Sequence, residues 1–379
     1  MKLVSHDIHP LQHKFLTTRQ ELSSTLIERD EEIDVVLTAL IANEHPLLVG
    51  PPGTAKSLLL DSLMDWMNGR RFSILLTRFS TPEELFGPIS VTGLKADRYQ
   101  RITTGKLPEA DLAFVDEIFK ASSAILNTLL RILNERTFDN GNGKPIRVPL
   151  KMCLAASNEW PHAQEGGKEL NALFDRFTLR RTVRPILSGA GRQRLLWDRD
   201  HKPKFSTTIT PEEIDEAHKE AMDLSWSYDA REALETILRE LGKEGIQPGD
   251  RRQYKSVCTA QAFAYLNGAT EVEPEHLEIL AAVLWADPME QPENVAQVIA
   301  KIANPTGMRV NQLLLETEQI LNSTDTKQLS QAATATAKLQ EVDKQLRALK
   351  GNGRVERARK YVQDQIKHIK LASLESLDG

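Results

Sequence analysis

Pro46-Leu47-Leu48-Val49-Gly50-Pro51-Pro52-Gly53-Thr54-Ala55-Lys56-Ser57 is the stretch from which the rest of the chain is read. A short apolar run ending at glycine has the pattern of a buried parallel strand. Residues 50–57 then follow the phosphate-loop pattern G-x-x-x-x-G-K-[ST], with alanine in the place just before the lysine. A strand that ends in such a loop and opens a helix offers backbone N–H groups and a helix N-terminus to an anion. In that setting Gly50, Pro51, Pro52, Gly53, Thr54 and Ala55 form the cradle, and Leu58 closes the nucleotide-binding set. Lys56 reaches the β- and γ-phosphates, and Ser57 is a ligand for Mg²⁺. A plain glycine turn would leave Lys56-Ser57 unexplained.

Downstream, Leu112-Ala113-Phe114-Val115-Asp116-Glu117 is a second apolar strand, ending on two carboxylates. Alone, such a pair usually caps a helix. Behind a phosphate loop it supplies Asp116 to the metal shell and Glu117 to the attacking water. Asn158 ends Ala155-Ala156-Ser157-Asn158, where a polar side chain can hold the water or the γ-phosphate; without the other motifs it would read as a turn cap. Arg176, in Leu173-Phe174-Asp175-Arg176-Phe177, and Arg251, in Gly249-Asp250-Arg251-Arg252, suit bidentate phosphate contacts. Their plain alternatives are ion pairs with Asp175 and Asp250.

Around these motifs strands alternate with helices, predicting a parallel sheet with helices on both faces. Strands are expected at 46–49, 72–76, 113–115, 152–156 and within 177–184. Residues 11–42 read as helical, from Leu11, Phe15, Leu22, Leu26, Ile33, Val36, Leu37 and Leu40. Two segments interrupt the alternation. Residues 86–106 carry Gly87-Pro88, Gly93 and Gly105, and residues 137–148 carry Asp139-Asn140-Gly141-Asn142-Gly143. Each predicts an inserted hairpin. From 186 to 303 the pattern is helical, with a capping box expected at Thr210-Pro211-Glu212-Glu213. Beyond Pro305, Ala332, Ala335, Leu339, Val342, Leu346 and Leu349 form a packed helix seam. The expected domains are an α/β nucleotide-binding core over 1–185, an all-α lid over 186–305 and a C-terminal helical hairpin or bundle over 306–379.

The 379 residues are 40% hydrophobic and 27% charged with a net charge of -5, so composition gives no push toward coating nucleic acid. No run approaches the roughly 18 apolar residues of a membrane span, and no signal-peptide pattern is visible, so a cytoplasmic location is expected. Cys153 and Cys258 lack metal-ligand spacing and read as buried free thiols.

Taken in order, residues 50–57, Asp116-Glu117, Asn158, Asp175-Arg176-Phe177 and residues 249–252 resemble an AAA+ ATPase. Alanine before the lysine resembles the MoxR family in particular. Thr77-Arg78-Phe79-Ser80-Thr81-Pro82-Glu83-Glu84-Leu85-Phe86-Gly87-Pro88, Leu107-Pro108-Glu109-Ala110, Ile125-Leu126-Asn127-Thr128-Leu129-Leu130 and Asn134-Glu135-Arg136 resemble its RavA branch. The resemblance covers residues 11–300 and extends only loosely into the tail. It implies an ATP- and Mg²⁺-dependent ATPase in a homo-hexameric ring, with nucleotide at the subunit interfaces. Arg176 is then similar to the arginine finger given to the neighbour, Arg251 to the lid sensor, Asn158 to the first sensor, and Ile27 and Arg29 to residues near the adenine. The insertions resemble the helix-2 and pre-sensor insertions of that clade.

Such proteins remodel or activate a protein client in a chaperone-like way, often with a partner carrying a von Willebrand factor A domain. The RavA branch also has a β-rich decarboxylase-binding module; residues after 306 read as helices, so that partner is not carried over. A nucleic-acid-associated or defence-system motor is the alternative that the basic run Lys344, Arg347, Lys350, Arg354, Arg357, Arg359, Lys360, Lys367 and Lys370 suggests. A slow nucleotide-dependent scaffold is a third, against which the complete catalytic set argues. Phe79, Phe86 and Tyr99 are candidates for gripping a client in a pore, with core packing expected for Phe79.

Overall fold

The structure, a computed structural model, describes residues 9–141, 143–160, 167–198, 202–324, 328–349 and 353–375. It divides into two compact units, Met1–Val295 and Ala296–Gly379.

The first unit begins with α1 (Pro10–Thr25) and α2 (Asp30–Ile41). α1 buries Leu11, Phe15 and Leu22 along one side; Asp30, Glu31 and Glu32 in the first turn of α2 complement the helix dipole. Next come β1 (Pro46–Val49), α3 (Lys56–Trp66), β2 (Arg71–Leu75), α4 (Pro82–Phe86), α5 (Val91–Lys95), β3 (Leu112–Asp116), α6 (Ser123–Glu135), β4 (Thr137–Phe138), β5 (Ile146–Arg147), β6 (Met152–Ser157), α7 (Gly167–Arg176) and β7 (Leu179–Thr182). Five of the strands form a parallel sheet in the order β2-β3-β6-β1-β7. β1 and β6 are buried at every position, so both faces of the sheet centre are covered. β6 separates the two motif strands: Leu47 of β1 and Val115 of β3 both register with Ala155. Because all these strands run the same way, the residues after β1, β3 and β6 emerge at one edge, where open α/β sheets bind ligands.

The first insertion takes the form of one antiparallel bridge, Ile89 to Arg101, with the short helix α5 at its tip. The second is the two-residue antiparallel ladder of β4 and β5. Asn140 ties them together: its Oδ1 accepts the Arg101 N–H at 2.7 Å and its Nδ2 donates to the Arg101 carbonyl at 3.2 Å. Phe86 is buried and stacks on Phe138, with ring centroids 5.7 Å apart. Phe79 corrects the sequence reading: it is 91% exposed, not packed in the core. It lies in the irregular stretch after β2, outside any apolar period that would turn it inward.

The unit continues through α8 (Gly189–Trp197), α9 (Pro211–Met222), β8 (Ser225–Trp226), α10 (Tyr228–Lys243), α11 (Asp250–Leu266), β9 (Glu271–Val272), a 3₁₀ segment (Pro274–Ala282) and the start of α12 (Gln291–Ala303). β8 and β9 pair in parallel and are the only strands among the described residues after β7. The capping box at the start of α9 forms as the sequence predicts: Glu213 N donates to Thr210 Oγ1 at 3.3 Å, and Thr210 N donates to Glu213 Oε2 at 3.0 Å. In the second unit α13 (Pro305–Asn322), α14 (Leu329–Ala348) and α15 (Gly353–Glu375) close on a core that includes Val310, Leu313, Leu339, Val342 and Val362. Among the described residues no helix is long and apolar enough to cross a membrane.

Two buried histidines make the first unit sensitive to acid. His45 accepts the Cys153 N–H on Nδ1 at 2.9 Å, and His276 accepts the Glu273 N–H on Nδ1 at 2.9 Å. Protonating either nitrogen would destroy an acceptor. Burial drives the His276 pKa down to about 4, against a smaller opposite pull from Glu273. Burial also holds His45 well below its ordinary value, reinforced by Arg136 and Lys255. Because both folded-state values lie below the unfolded value, the unfolded chain takes the protons first as pH falls. Stability should therefore be lost from about pH 6.5 downward, at about 1.4 kcal/mol per pH unit for each histidine. Urea midpoints should stay nearly level from pH 7.5 to about 6.5 and fall from there to 5.5 in the wild type, less steeply in His276→Gln; parallel curves would contradict the assignment.

Candidate functional site

The loop after β1 is pinned before it begins to curve, since Gly50 N donates to the Ser157 carbonyl of β6 at 3.1 Å. A Cβ on Gly50 would stand 2.2 Å from the Val183 carbonyl oxygen, so only glycine fits against the backbone that follows β7. Ala55 has φ +65°, in the left-handed region, which explains why glycine suits this place and what alanine costs, about 1 kcal/mol. The turn leads directly into α3, so the N–H groups of its first turn face the loop.

Lys56 is buried, and its ammonium donates to the carbonyls of Gly50 at 2.6 Å and Pro51 at 3.0 Å. Burial lowers its pKa, while Asp116 and Glu117 pull the other way. Asn158 links the two motifs: its Oδ1 stands 3.5 Å from Lys56 Nζ and its Nδ2 donates to Glu117 Oε1. The second oxygen of Glu117 pairs with Lys120 Nζ at 3.2 Å. Glu117 is buried and has φ +55°, a left-handed conformation held at the strand end with its N–H on Asp116 Oδ1 at 2.9 Å. Such local strain concentrates at functional sites.

These groups border a cleft of about 900 Å³. Residues 52–58 of the loop and α3, including Ser57 and Leu58, line one side; residues 75–79, Asp116, Glu117, Lys120 and Asn158 complete it. The donor set fits a nucleoside triphosphate: helix-end N–H groups and one ammonium for phosphate, with the Ser57 hydroxyl and the Asp116 carboxylate as hard oxygen ligands for Mg²⁺.

The other residues singled out in the sequence lie outside this cleft. Arg29 is buried and donates from Nε to the Thr54 carbonyl at 3.0 Å, bracing the loop; Ile27 is buried beside it in sequence. Arg176 ends α7, and its Nε is buried with no hydrogen-bond partner among the described residues. Arg251 is exposed and donates to Asn134 Oδ1 at 2.9 Å. Lys120 was missed, although its place three residues after Glu117 was a usable signal. Arg78 and Phe79 were missed as cleft residues because nothing local marks β2 as the neighbour of β3.

Residues 13–219 match the family described as the MoxR domain in the MoxR-vWA-beta-propeller ternary systems, and residues 229–299 match an AAA lid domain. An uncharacterised protein of Methanocaldococcus jannaschii is 43% identical over 296 residues, 78% of this chain and 76% of that protein. The chaperone MoxR1 of Mycobacterium tuberculosis is 25% identical over 179 residues, 47% of this chain and 45% of its own length. The crystal structure of a candidate ATPase from Cytophaga hutchinsonii is similar with a TM-score of 0.61 at 18% identity, covering 77% of this chain and 95% of that one, a likeness of fold.

Two loop glycines should respond differently to alanine. At Gly53, φ is +78° but the space is open, so the cost is about 1 kcal/mol. At Gly50 the added methyl collides with backbone, so the loop must move at a cost of about 1–3 kcal/mol. Gly50→Ala should lower the melting temperature more than Gly53→Ala and weaken binding of a fluorescent ATP analogue at least tenfold; equal effects would contradict the packing argument.

Proposed function

Because the chain belongs to the MoxR family of AAA+ ATPases, we propose that it binds ATP with Mg²⁺ and hydrolyses it at a site completed by a second copy of the chain. The observation that carries this reading is the Asn158 bridge, which brings the buried Lys56 ammonium and the Glu117 carboxylate into one cleft beside Asp116.

On this reading residues 50–57 wrap the phosphates, and Lys56 exchanges the Gly50 and Pro51 carbonyls for phosphate oxygens. Ser57 and Asp116 would hold Mg²⁺, which would supply positive charge to offset that of the phosphates. Glu117 orients a water for in-line attack on the γ-phosphorus and takes its proton, while Asn158 fixes the carboxylate and reports on the γ-phosphate. Arg176 lies outside the cleft of its own chain, which supports its serving the neighbour's nucleotide. Arg251 is the lid arginine that closes toward nucleotide. Ile27 and Arg29 flank the adenine side. The ring is a homo-hexamer, and its ATP-driven motion remodels a protein client.

The family's name for ternary systems supports a von Willebrand factor A domain protein and a β-propeller protein as partners. A nucleic-acid role draws less support, because part of the basic tail is already paired: Arg359 with Asp343 at 3.2 Å, Lys367 with Asp364 at 3.4 Å and Lys344 with Glu341 at 3.6 Å.

Steady-state hydrolysis and ATP binding should separate the roles. Lys56→Ala should lose binding. Glu117→Gln should keep binding and lose about 10²–10⁴ in kcat. Arg176→Ala should keep binding and lose about 10³–10⁵. Wild-type turnover in Glu117→Gln would overturn the assignment of the base.

A further inference from the structure

Arg251 and Arg252 open α11 side by side but go to different places. Arg251 is exposed at the surface of the lid, whereas Arg252 is 7% exposed and spends its guanidinium on three acceptors. NH2 donates to Asp175 Oδ1 at 2.8 Å; NH1 donates to the Val283 carbonyl at 2.8 Å and lies 3.4 Å from the Thr178 carbonyl. Val283 follows the 3₁₀ segment of the lid. Asp175 and Thr178 belong to the core, one on each side of Arg176 in sequence.

A second clamp sits on the same stretch. Arg180 of β7 is fully buried, with its guanidinium carbon 4.4 Å from the Phe174 ring centroid and 4.2 Å from that of Trp285, and it donates to the Trp285 carbonyl. Trp160 meets Trp285 edge-on at 5.5 Å. The residues flanking Arg176 (Phe174, Asp175 and Thr178) are thus held by lid groups, while the buried Nε of Arg176 has no hydrogen-bond partner among the described residues. A side chain whose backbone is fixed on both sides is preorganised for an acceptor supplied from elsewhere.

We propose that Arg252 is a positioning residue for ATP hydrolysis: through Asp175 it fixes the last turn of α7, and so sets the reach of Arg176 into the neighbouring subunit's site. The inference rests on the reading that Arg176 completes that site. It makes the lid of one subunit a determinant of turnover in the next. Any lid movement that follows nucleotide in its own cleft is passed through Arg252 and Asp175 to the adjacent one.

The test uses full-length Asp175→Asn and Arg252→Lys, which retain a polar partner at each position. Assembly mass and ATP affinity should match the wild type, and the melting temperature, though lowered, should stay well above the assay temperature. KM should stay within about twofold while kcat falls about ten- to hundredfold. Mixed assemblies locate the defect. Asp175→Asn placed in Lys56→Ala subunits, which bind no ATP but present Arg176, should slow their wild-type neighbours beyond the effect of Lys56→Ala alone. Asp175→Asn in an ATP-binding subunit beside an intact donor should leave that subunit's turnover unchanged. Wild-type kcat in both variants while Arg176→Ala is inactive would overturn the inference and leave the shared site standing. So would a defect that stays with the subunit carrying the change, or one explained by lost stability or assembly. Wild-type turnover in Arg176→Ala would sink the shared-site reading itself, and this inference with it.

Discussion

A buried ammonium facing two strand-end carboxylates across a parallel sheet is the constraint on which this molecule is organised. A buried lysine is unfavourable unless its donors are satisfied, and Lys56 meets that requirement through the Gly50 and Pro51 carbonyls and the nearby Asn158 amide oxygen. The last of these is available because β6 lies between β1 and β3, placing Asn158 between the phosphate loop and the acidic pair. The local strain follows the same demand. Gly50 leaves no room for a side chain, and Ala55 and Glu117 adopt left-handed conformations that few residues tolerate. A chain that gathers strained residues at one sheet edge has spent stability there to hold polar groups in a fixed arrangement.

The sheet and the cleft were largely legible because their signals are local. An apolar run of strand length ending in glycine or Asp-Glu needs no knowledge of distant contacts, and β1 matches its expected bounds while β3 extends by a residue at each end. The hairpin at 137–148 was readable from its turn cluster. What escaped depended on partners far away in sequence. Arg251 and Arg252 are identical in type and adjacent, yet consecutive helix residues point about 100° apart, and only the packing of α7 and the 3₁₀ segment decides which one is buried. Phe79 shows the reverse. An aromatic residue suggests burial, but its stretch after β2 offers no inner face, so the ring stays in solvent at the rim of the cleft. Lys120 is the exception, since its partner Glu117 stands only three residues away and the left-handed turn there brings the ammonium back to the carboxylate.

The cleft is half of a longer relation. The inserted segments are tied to each other by Asn140 and by the Phe86–Phe138 stack, which makes them one surface. Away from the cleft, the Thr178 carbonyl and Arg180 meet buried lid groups and the exposed Asp175 pairs with Arg252, so core and lid share a partly buried polar seam. Burial pushes the Arg180 pKa well down, with Arg252 adding to the effect and Asp175 opposing it. Cationic groups gathered around one carboxylate form a junction sensitive to small displacements, because an unpaired buried charge is costly. Such a junction suits a device that transmits movement better than one that only joins two parts.

On the proposed function, hydrolysis needs groups from two copies of the chain. The most direct measurement is the ATP turnover per subunit as protein concentration is raised, with the mass in ATP followed by light scattering. The account predicts a rate per subunit that climbs as assemblies form and levels off when they are complete. A rate independent of concentration, from a protein that stays monomeric while turning over, would contradict it.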